Sequence, residues 1–168
     1  MAPSPEQVVQ AAADAGLTIA CAESLTGGAL CAALVSVPGA SAVFRGGVVA
    51  YAADVKEDLL GVDPRLIEEF GVVSAEVATA MAERVRVVLG ADIGLATTGA
   101  AGPEPHGGKA PGTVAVASVG PRGTVAWERR HEGAREAVRA AAVDDALEAA
   151  LHAFGETPPQ RVSGGEQA

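Results

Sequence analysis

Aromatic and basic side chains are scarce in this 168-residue chain. Phenylalanine, tryptophan and tyrosine together make up 3% of the residues. The chain has 12 lysines and arginines but 21 aspartates and glutamates. A formal net charge of −9 offers no positive surface to a phosphate polymer, and so few rings leave little for bases to stack on. We therefore expect no nucleic acid among its partners.

Long hydrophobic runs are also missing, and cysteine is rare. The first ten residues, MAPSPEQVVQ, lack a basic stretch followed by an apolar one, and no apolar run reaches the length of a membrane span. The two cysteines, Cys21 and Cys31, fall in strand-like and helix-like runs, where buried thiols of intracellular proteins usually lie. The sequence therefore predicts a cytoplasmic protein without membrane contact.

The residue patterns of metal sites are absent from the sequence as well. His106, His131 and His152 are scattered without ligand spacing, and the two cysteines do not form a zinc-type pair. We expect neither a metal site nor a cofactor.

Hydrophobic residues make up 49% of the chain, enough for one domain with a sizeable core. Strand patterns at 17–22, 43–51, 92–98, 113–119 and 124–130 alternate with helical ones in the first half, and Gly-Pro-Arg-Gly at 120–123 predicts a closing hairpin. Gly46-Gly47 interrupts the second strand, as a bulge or a close backbone approach would. These patterns predict an α/β fold, a three-layer α/β/α sandwich on a mixed β-sheet. The single domain spans 1–154, and 155–168 is predicted to be a disordered tail.

The stretch AESLTGG, 22–28, places Ser24 where a strand passes into a helix predicted over 25–37. Unpaired N–H groups at a helix start favour developing negative charge, which would help a serine nucleophile and its oxyanion. Gly27 and Gly28 would let a substrate approach the backbone. However, capping alone is the commoner role of a serine or threonine such as Ser24 or Thr26 in this position. The stretch by itself leaves both interpretations open.

A serine nucleophile needs a base, and none of the histidines has a recognisable partner. Lys56 follows the strand end at Tyr51 by five residues, on a predicted short helix where burial would favour its neutral form. A lone helical lysine is nevertheless usually solvated. The Gly/Pro loop at 99–112 could cradle a phosphate through its amides, but it matches neither the Walker pattern nor GxGxxG. Composition and spacing alone lead to an α/β enzyme or a ligand-binding domain.

Four segments together resemble the C-terminal domain of the competence/damage-inducible protein CinA family. They are AESLTGG (22–28), PGAS..F.GGVVAY....K..LLGV (38–62), GVVS.EVA.AMA (71–82) and TTGAAGP...GGKAPGTV (97–114). Proteins that consist of this domain alone are nicotinamide-nucleotide amidases. The resemblance therefore implies hydrolysis of the carboxamide of nicotinamide mononucleotide to nicotinate mononucleotide and ammonia, a pyridine-nucleotide recycling reaction that needs no metal. It also implies a homodimer.

The same resemblance implies roles for individual residues. Ser24 matches the family's nucleophile, Lys56 its base, and Tyr51 the tyrosine that relays a proton or orients the lysine. Thr98 stands where the family has threonine or serine. From the residues themselves, the phosphate is expected on Gly27, Gly28 and the loop from Gly99 to Gly102. The residues expected to bind the nucleotide substrate are Thr26, Gly27, Gly28, Gly47, Thr98, Gly99, Gly102 and Arg135.

Three departures from the family pattern stand out. Ala53 replaces a residue able to form a hydrogen bond, KAPGTV replaces KPVGTV at 109–114, and GAR replaces GDR at 133–135 with Arg135 retained. They bear on substrate affinity and loop shape more than on Ser24 and Lys56. The alternative function is a non-catalytic nucleotide-binding or regulatory module. Such a module would need the glycine loops but not Ser24, Tyr51 and Lys56 together.

Overall fold

A five-stranded mixed sheet organises residues 3–155, the part of the chain that the computed structural model describes. The strands are β1 (Ile19–Glu23), β2 (Phe44–Val49), β3 (Ile93–Gly99), β4 (Thr113–Gly120) and β5 (Gly123–Arg130). Their order is β2-β1-β3-β4-β5, with β2, β1 and β3 parallel and both β4 and β5 joined antiparallel. Apart from Gly155, the predicted disordered tail lies outside the described residues.

Helices cover both faces of this sheet. They are α1 (Pro5–Ala15), α2 (Ala29–Val35), α3 (Ala53–Asp58), α4 (Pro64–Phe70), α5 (Ala75–Leu89) and α6 (Arg135–Ala153), with a 3₁₀ turn at Ala40–Ala42. One core packs α1, α2 and α6 against the sheet, and a second packs α5 and the α3–α4 region against the opposite face. The predicted three-layer α/β/α sandwich is thus confirmed. Within residues 3–155, no helix is both long enough and apolar enough to cross a membrane.

The two faces of the sheet carry side chains of different size. The face toward α1 and α6 has branched residues such as Ile93, Leu95 and Val116, whereas the face toward α5 is built largely of alanines. At Gly94 a Cβ atom would lie 1.8 Å from the carbonyl oxygen of Ala82, so α5 packs directly on the strand backbone. This close approach requires glycine at position 94.

Helix α2 is shorter than the predicted 25–37, because residues 24–28 form a turn before it begins at Ala29. By contrast, α1 carries regular caps at both ends: Ser4 forms a capping box with Gln7, and Gly16 ends the helix at φ 64°. The predicted irregularity in β2 is present too, since the register with β1 shifts between the Ile19–Phe44 and Ala20–Gly46 pairs. The α2 difference matters most, because it changes the surroundings of Ser24.

Candidate active site

Ser24 lies directly after β1, at the edge where the parallel strands β2, β1 and β3 end. Its backbone N–H donates to the Thr97 carbonyl on β3 at 3.0 Å, which ties the turn to the neighbouring strand. The residue is 6% exposed and contributes to the wall of a cavity of about 280 Å³. Ligands of open α/β sheets bind outside the carboxyl ends of their strands, so Ser24 occupies the expected edge.

Lys56 lies behind Ser24 and is fully buried, at 1% exposure. Helix α3 directs its Nζ atom to 3.0 Å from Ser24 Oγ, 2.8 Å from the Ala50 carbonyl and 3.0 Å from the Tyr51 carbonyl. An ammonium group would donate to all three oxygens. A neutral amine would donate its two hydrogens to the two carbonyls and accept the Ser24 hydroxyl proton on its lone pair. The partners therefore suit both protonation states.

Burial lowers the pKa of Lys56 from 10.5 to about 8, because the charged form loses hydration inside the protein. Its three hydrogen-bond partners are neutral, so none of them supplies a carboxylate to hold the proton. At pH 7, one unit below this value, roughly a tenth of the molecules carry a neutral amine. The usual expectation of a solvated lysine does not hold at this position.

The buried carboxylate of Glu23 caps helix α2, which excludes both cap roles considered for Ser24 and Thr26. Its two oxygens accept the N–H groups of Gly28, Leu30 and Cys31 at 3.0, 3.1 and 2.7 Å. The start of α2 is therefore already bound to a carboxylate from within the chain. The expectation that this helix start stabilises negative charge at Ser24 is wrong, because its N–H groups are not available.

The turn between Ser24 and α2 faces other protein groups rather than the cavity. Thr26 is buried and its hydroxyl lies 2.7 Å from that of Thr97, while the N–H groups of Gly27 and Gly28 donate to the Ser24 carbonyl and to Glu23. Arg139 of α6 binds the Leu25 and Thr26 carbonyls at 2.9 Å each. The structure thus does not place Thr26, Gly27 or Gly28 in the cavity wall, and the predicted phosphate cradle on the two glycines is not formed.

Two further predicted substrate contacts also have structural roles. The Thr98 hydroxyl donates to the Val72 carbonyl at 2.7 Å, away from the cavity. At Gly47 a Cβ atom would lie 2.2 Å from Cys31 Sγ, so this glycine makes room for the neighbouring thiol. Gly47 was expected to contact the substrate through its backbone, but what approaches it closely is part of the protein itself.

The structure does bring Tyr51, Gly99, Gly102 and Arg135 together with Ser24 around the cavity. Arg135 donates to the Gly102 carbonyl at 2.8 Å and to the Tyr51 hydroxyl at 3.0 Å. The Tyr51 side chain therefore pairs with Arg135, while its carbonyl holds Lys56. Gly99 is required because a Cβ atom there would lie 2.8 Å from both Leu25 Cδ1 and the Thr113 carbonyl oxygen.

Part of the cavity wall consists of residues that the sequence patterns did not predict. Besides Leu25 and Ala101, it includes the run Pro103, Glu104, Pro105 and His106 from the long β3–β4 loop. The length of this loop indicated a functional segment, but no residue pattern identified which of its residues line the cavity. Within residues 3–155, no group of three or more histidine, cysteine, aspartate or glutamate side chains could hold a metal ion.

Fold and site together define an α/β/α protein with a buried serine–lysine pair at the carboxyl edge of its parallel strands. The chain belongs to the CinA family, because the family model "CinA C-terminal domain" matches residues 1–154. It is 52% identical over 131 residues to a CinA-like protein of Frankia casuarinae, covering 78% of this chain and 30% of that protein.

Solved structures agree with this assignment. A Competence-Damaged Protein (CinA) superfamily protein from Klebsiella pneumoniae is 32% identical, with a TM-score of 0.85 over 90% of this chain and 95% of that one. The competence/damage inducible protein CihA from Agrobacterium tumefaciens is 34% identical, with a TM-score of 0.83 over 90% and 93%. The chain spans about a third of the length of the curated relatives it matches, from 30% to 36% for the first two.

Proposed function

We propose that this protein is a serine–lysine amidase that hydrolyses the carboxamide of nicotinamide mononucleotide to nicotinate mononucleotide and ammonia. The observation that carries the proposal is the 3.0 Å contact between Lys56 Nζ and Ser24 Oγ at the wall of a cavity. A buried amine whose pKa is lowered to about 8 is suited to accept a serine proton near neutral pH. The reaction class follows from this pair, and the substrate from the family resemblance.

Acylation begins with neutral Lys56. As Ser24 Oγ bonds to the carboxamide carbon, its proton passes to Lys56 Nζ, and the carbonyl oxygen becomes an oxyanion. The N–H of Leu25 is our candidate donor to this oxyanion, because it follows the nucleophile and finds no acceptor among the described residues. The carbon–nitrogen bond then breaks, and the proton on Lys56 moves to the leaving nitrogen, which departs as ammonia.

Hydrolysis of the resulting ester uses the same two side chains. A water molecule gives one proton to Lys56 and bonds to the acyl carbon through its oxygen. The bond to Ser24 Oγ breaks, and the serine recovers its proton from Lys56. Nicotinate mononucleotide leaves and gives its remaining carboxyl proton to solvent, so one water is consumed for each ammonia released, and the enzyme returns to its starting state.

Arg135 is the group that we assign to the substrate phosphate in place of the glycine turn. Its two described hydrogen bonds, to Gly102 and Tyr51, use two of the five N–H donors of a guanidinium group. The remaining donors suit a phosphate, which arginine binds through paired hydrogen bonds. Gly27 and Gly28 offer no such donors, since their N–H groups already have protein partners.

The alternative of a non-catalytic nucleotide-binding module accounts less well for Lys56. Burying a lysine without a carboxylate partner costs folding free energy, and a module that only binds a nucleotide gains nothing from it. The Lys56 contacts therefore favour the enzyme.

The test is to incubate the purified chain with nicotinamide mononucleotide, without added metal, and to measure ammonia. We expect Ser24→Ala to reduce the rate by about a thousandfold or more, because the covalent route is lost. The matched control is Ser36→Ala, whose hydroxyl only binds the Ala32 carbonyl at an exposed position. An inactive wild-type chain, or equal ammonia release by Ser24→Ala, would contradict the proposal.

A further inference from the structure

The charged groups of the cavity wall are of both signs. Arg135 is the arginine of the wall and Glu104 its carboxylate, with His106 two residues further on. Nicotinamide mononucleotide also carries both signs, because its phosphate is negative and its pyridinium ring is positive. Once Arg135 is assigned to the phosphate, Glu104 is left as the anionic group facing the same space.

The loop that carries Glu104 is held in place on three sides. At its base, the Ala100 N–H donates to the Thr113 carbonyl at 2.8 Å and the Gly112 N–H to the Ala100 carbonyl at 2.7 Å. On one side, Lys109 pairs with Glu128 of β5 at 2.8 Å. At the tip, a Cβ atom on Gly107 would lie 2.6 Å from Val72 Cγ2, so the loop packs closely on the segment before α5.

Glu104 itself is free to bind a ligand. Neither an ion pair nor a hydrogen bond within residues 3–155 engages its carboxylate, in contrast to Glu128 of the same region. It lies between Pro103 and Pro105, whose rings fix the φ angle on either side and restrict the backbone. A carboxylate is thus presented to the cavity from an anchored loop without being neutralised by the protein.

We propose that Glu104 is a specificity residue that recognises the positive charge of the pyridinium ring. This inference rests on the proposed function and names the feature of the substrate that the cavity selects. Attack by Ser24 requires the carboxamide, and therefore the ring that bears it, to enter the cavity that Glu104 lines. The exposed ring of Tyr51 in the same wall adds a π face that also favours a cation.

The consequence is discrimination between two forms of one nucleotide. The 1,4-dihydropyridine form has the same carboxamide, ribose and phosphate, but its ring is uncharged. It keeps the contact with Arg135 and loses the attraction of Glu104. The wild-type protein should therefore prefer the cationic ring, and the preference should depend on the carboxylate.

The experiment compares wild type with Glu104→Gln, which removes the charge and keeps the shape. KM is measured for nicotinamide mononucleotide, and the dihydropyridine form is measured as a competitive inhibitor. We expect KM to rise about fivefold in the variant, as for a partly exposed ion pair, while the inhibition constant stays within about twofold. Glu68→Gln on α4, exposed and away from the cavity, changes the net charge equally and should alter neither constant.

Each possible result either supports or overturns the role of Glu104 in recognising the charged ring. An equal rise in both constants would make Glu104 a contact for the ribose or a general support of the loop, and would overturn the charge-recognition role. An unchanged KM would overturn it too. If the wild-type chain does not hydrolyse nicotinamide mononucleotide, both the function and this inference fail, whereas turnover with either of the other results removes only the role of Glu104.

Discussion

Glu23 and Lys56 are both ionisable, fully buried and next to Ser24, yet the protein surrounds them differently. Glu23 receives three backbone N–H groups from α2, whereas Lys56 contacts two backbone carbonyls and one hydroxyl. The hydroxyl is the decisive partner, because it can donate as well as accept. A carboxylate that faces only fixed donors serves the architecture. An amine that faces a hydroxyl can exchange a proton.

The largest effect is expected when Lys56 is replaced with methionine, which has a similar length but no amine. We expect ammonia release to fall about 10³- to 10⁴-fold, because general base catalysis is lost. The free energy of unfolding should stay equal or rise, since a buried charge without a carboxylate partner is removed. Activity assays and denaturant titrations measure the two effects.

The control is Lys109→Met, the only other lysine of the chain, which pairs with Glu128 at a half-exposed position. Because Lys109 is only one of the contacts that hold the β3–β4 loop, this variant should lower the activity far less than Lys56→Met does. If Lys56→Met unfolded the protein, Lys56 would be a structural residue like Glu23, and the proposed difference in role between the two residues would be wrong.

Replacing Glu23 with alanine should mainly lower the stability of the protein, whereas Lys56→Met should mainly lower its activity. Three N–H groups at the start of α2 would lose their acceptor, and we expect the free energy of unfolding to fall by about 3 kcal/mol. Activity per folded molecule should fall less than in Lys56→Met, because the serine and its base remain. Denaturant unfolding combined with assays at low temperature separates the two quantities.

The Glu23→Gln variant separates the effect of the hydrogen-bond acceptors from the effect of the negative charge. Its single amide oxygen can still accept from part of the set, so roughly half of the loss should be recovered. A glutamine variant as unstable as the alanine variant would mean that the negative charge, rather than the number of acceptors, is what α2 requires.

The smallest expected effect is a pH dependence of stability that belongs to Lys56. Below pH 8 the amine is charged in the folded and the unfolded chain, so the full cost of burial is present. Between pH 8 and 10.5 the folded protein releases the proton while the unfolded chain keeps it, so wild-type stability rises. The stability advantage of Lys56→Met over wild type should therefore shrink by about 1 kcal/mol from pH 7 to pH 9. An advantage that stays constant over this range would contradict the lowered pKa.

Most of the fold could be predicted because its elements carry strong local signals. The apolar strands 92–98 and 113–119 and the hairpin at 120–123 all correspond to observed features. The predicted start of α2 at residue 25 was wrong, because the helix begins at Ala29, and the reason is physical. Serine and threonine are the usual caps, but here the cap is a glutamate at the end of the preceding strand, five to eight residues before the N–H groups it binds.

The site was harder to predict than the fold. The resemblance indicated Ser24 and Lys56, but burial of the lysine depends on how α3 packs, which spacing along the chain does not reveal. Gly47 and Gly28 look like ligand-binding glycines in sequence, whereas their neighbours in space are Cys31 and Glu23. A glycine-rich pattern shows that something approaches closely, and only the tertiary structure shows whether it is a ligand or the protein.

The two carbonyls that hold Lys56 have a consequence for how this site can change during evolution. They belong to the main chain at Ala50 and Tyr51, so substitutions at these positions can alter the side chains without removing the acceptors. Ala53, the departure from the family pattern beside them, likewise takes no part in these hydrogen bonds. The binding of Lys56 therefore depends on the path of the backbone at these two residues, whereas the Tyr51 side chain is required separately for its contact with Arg135.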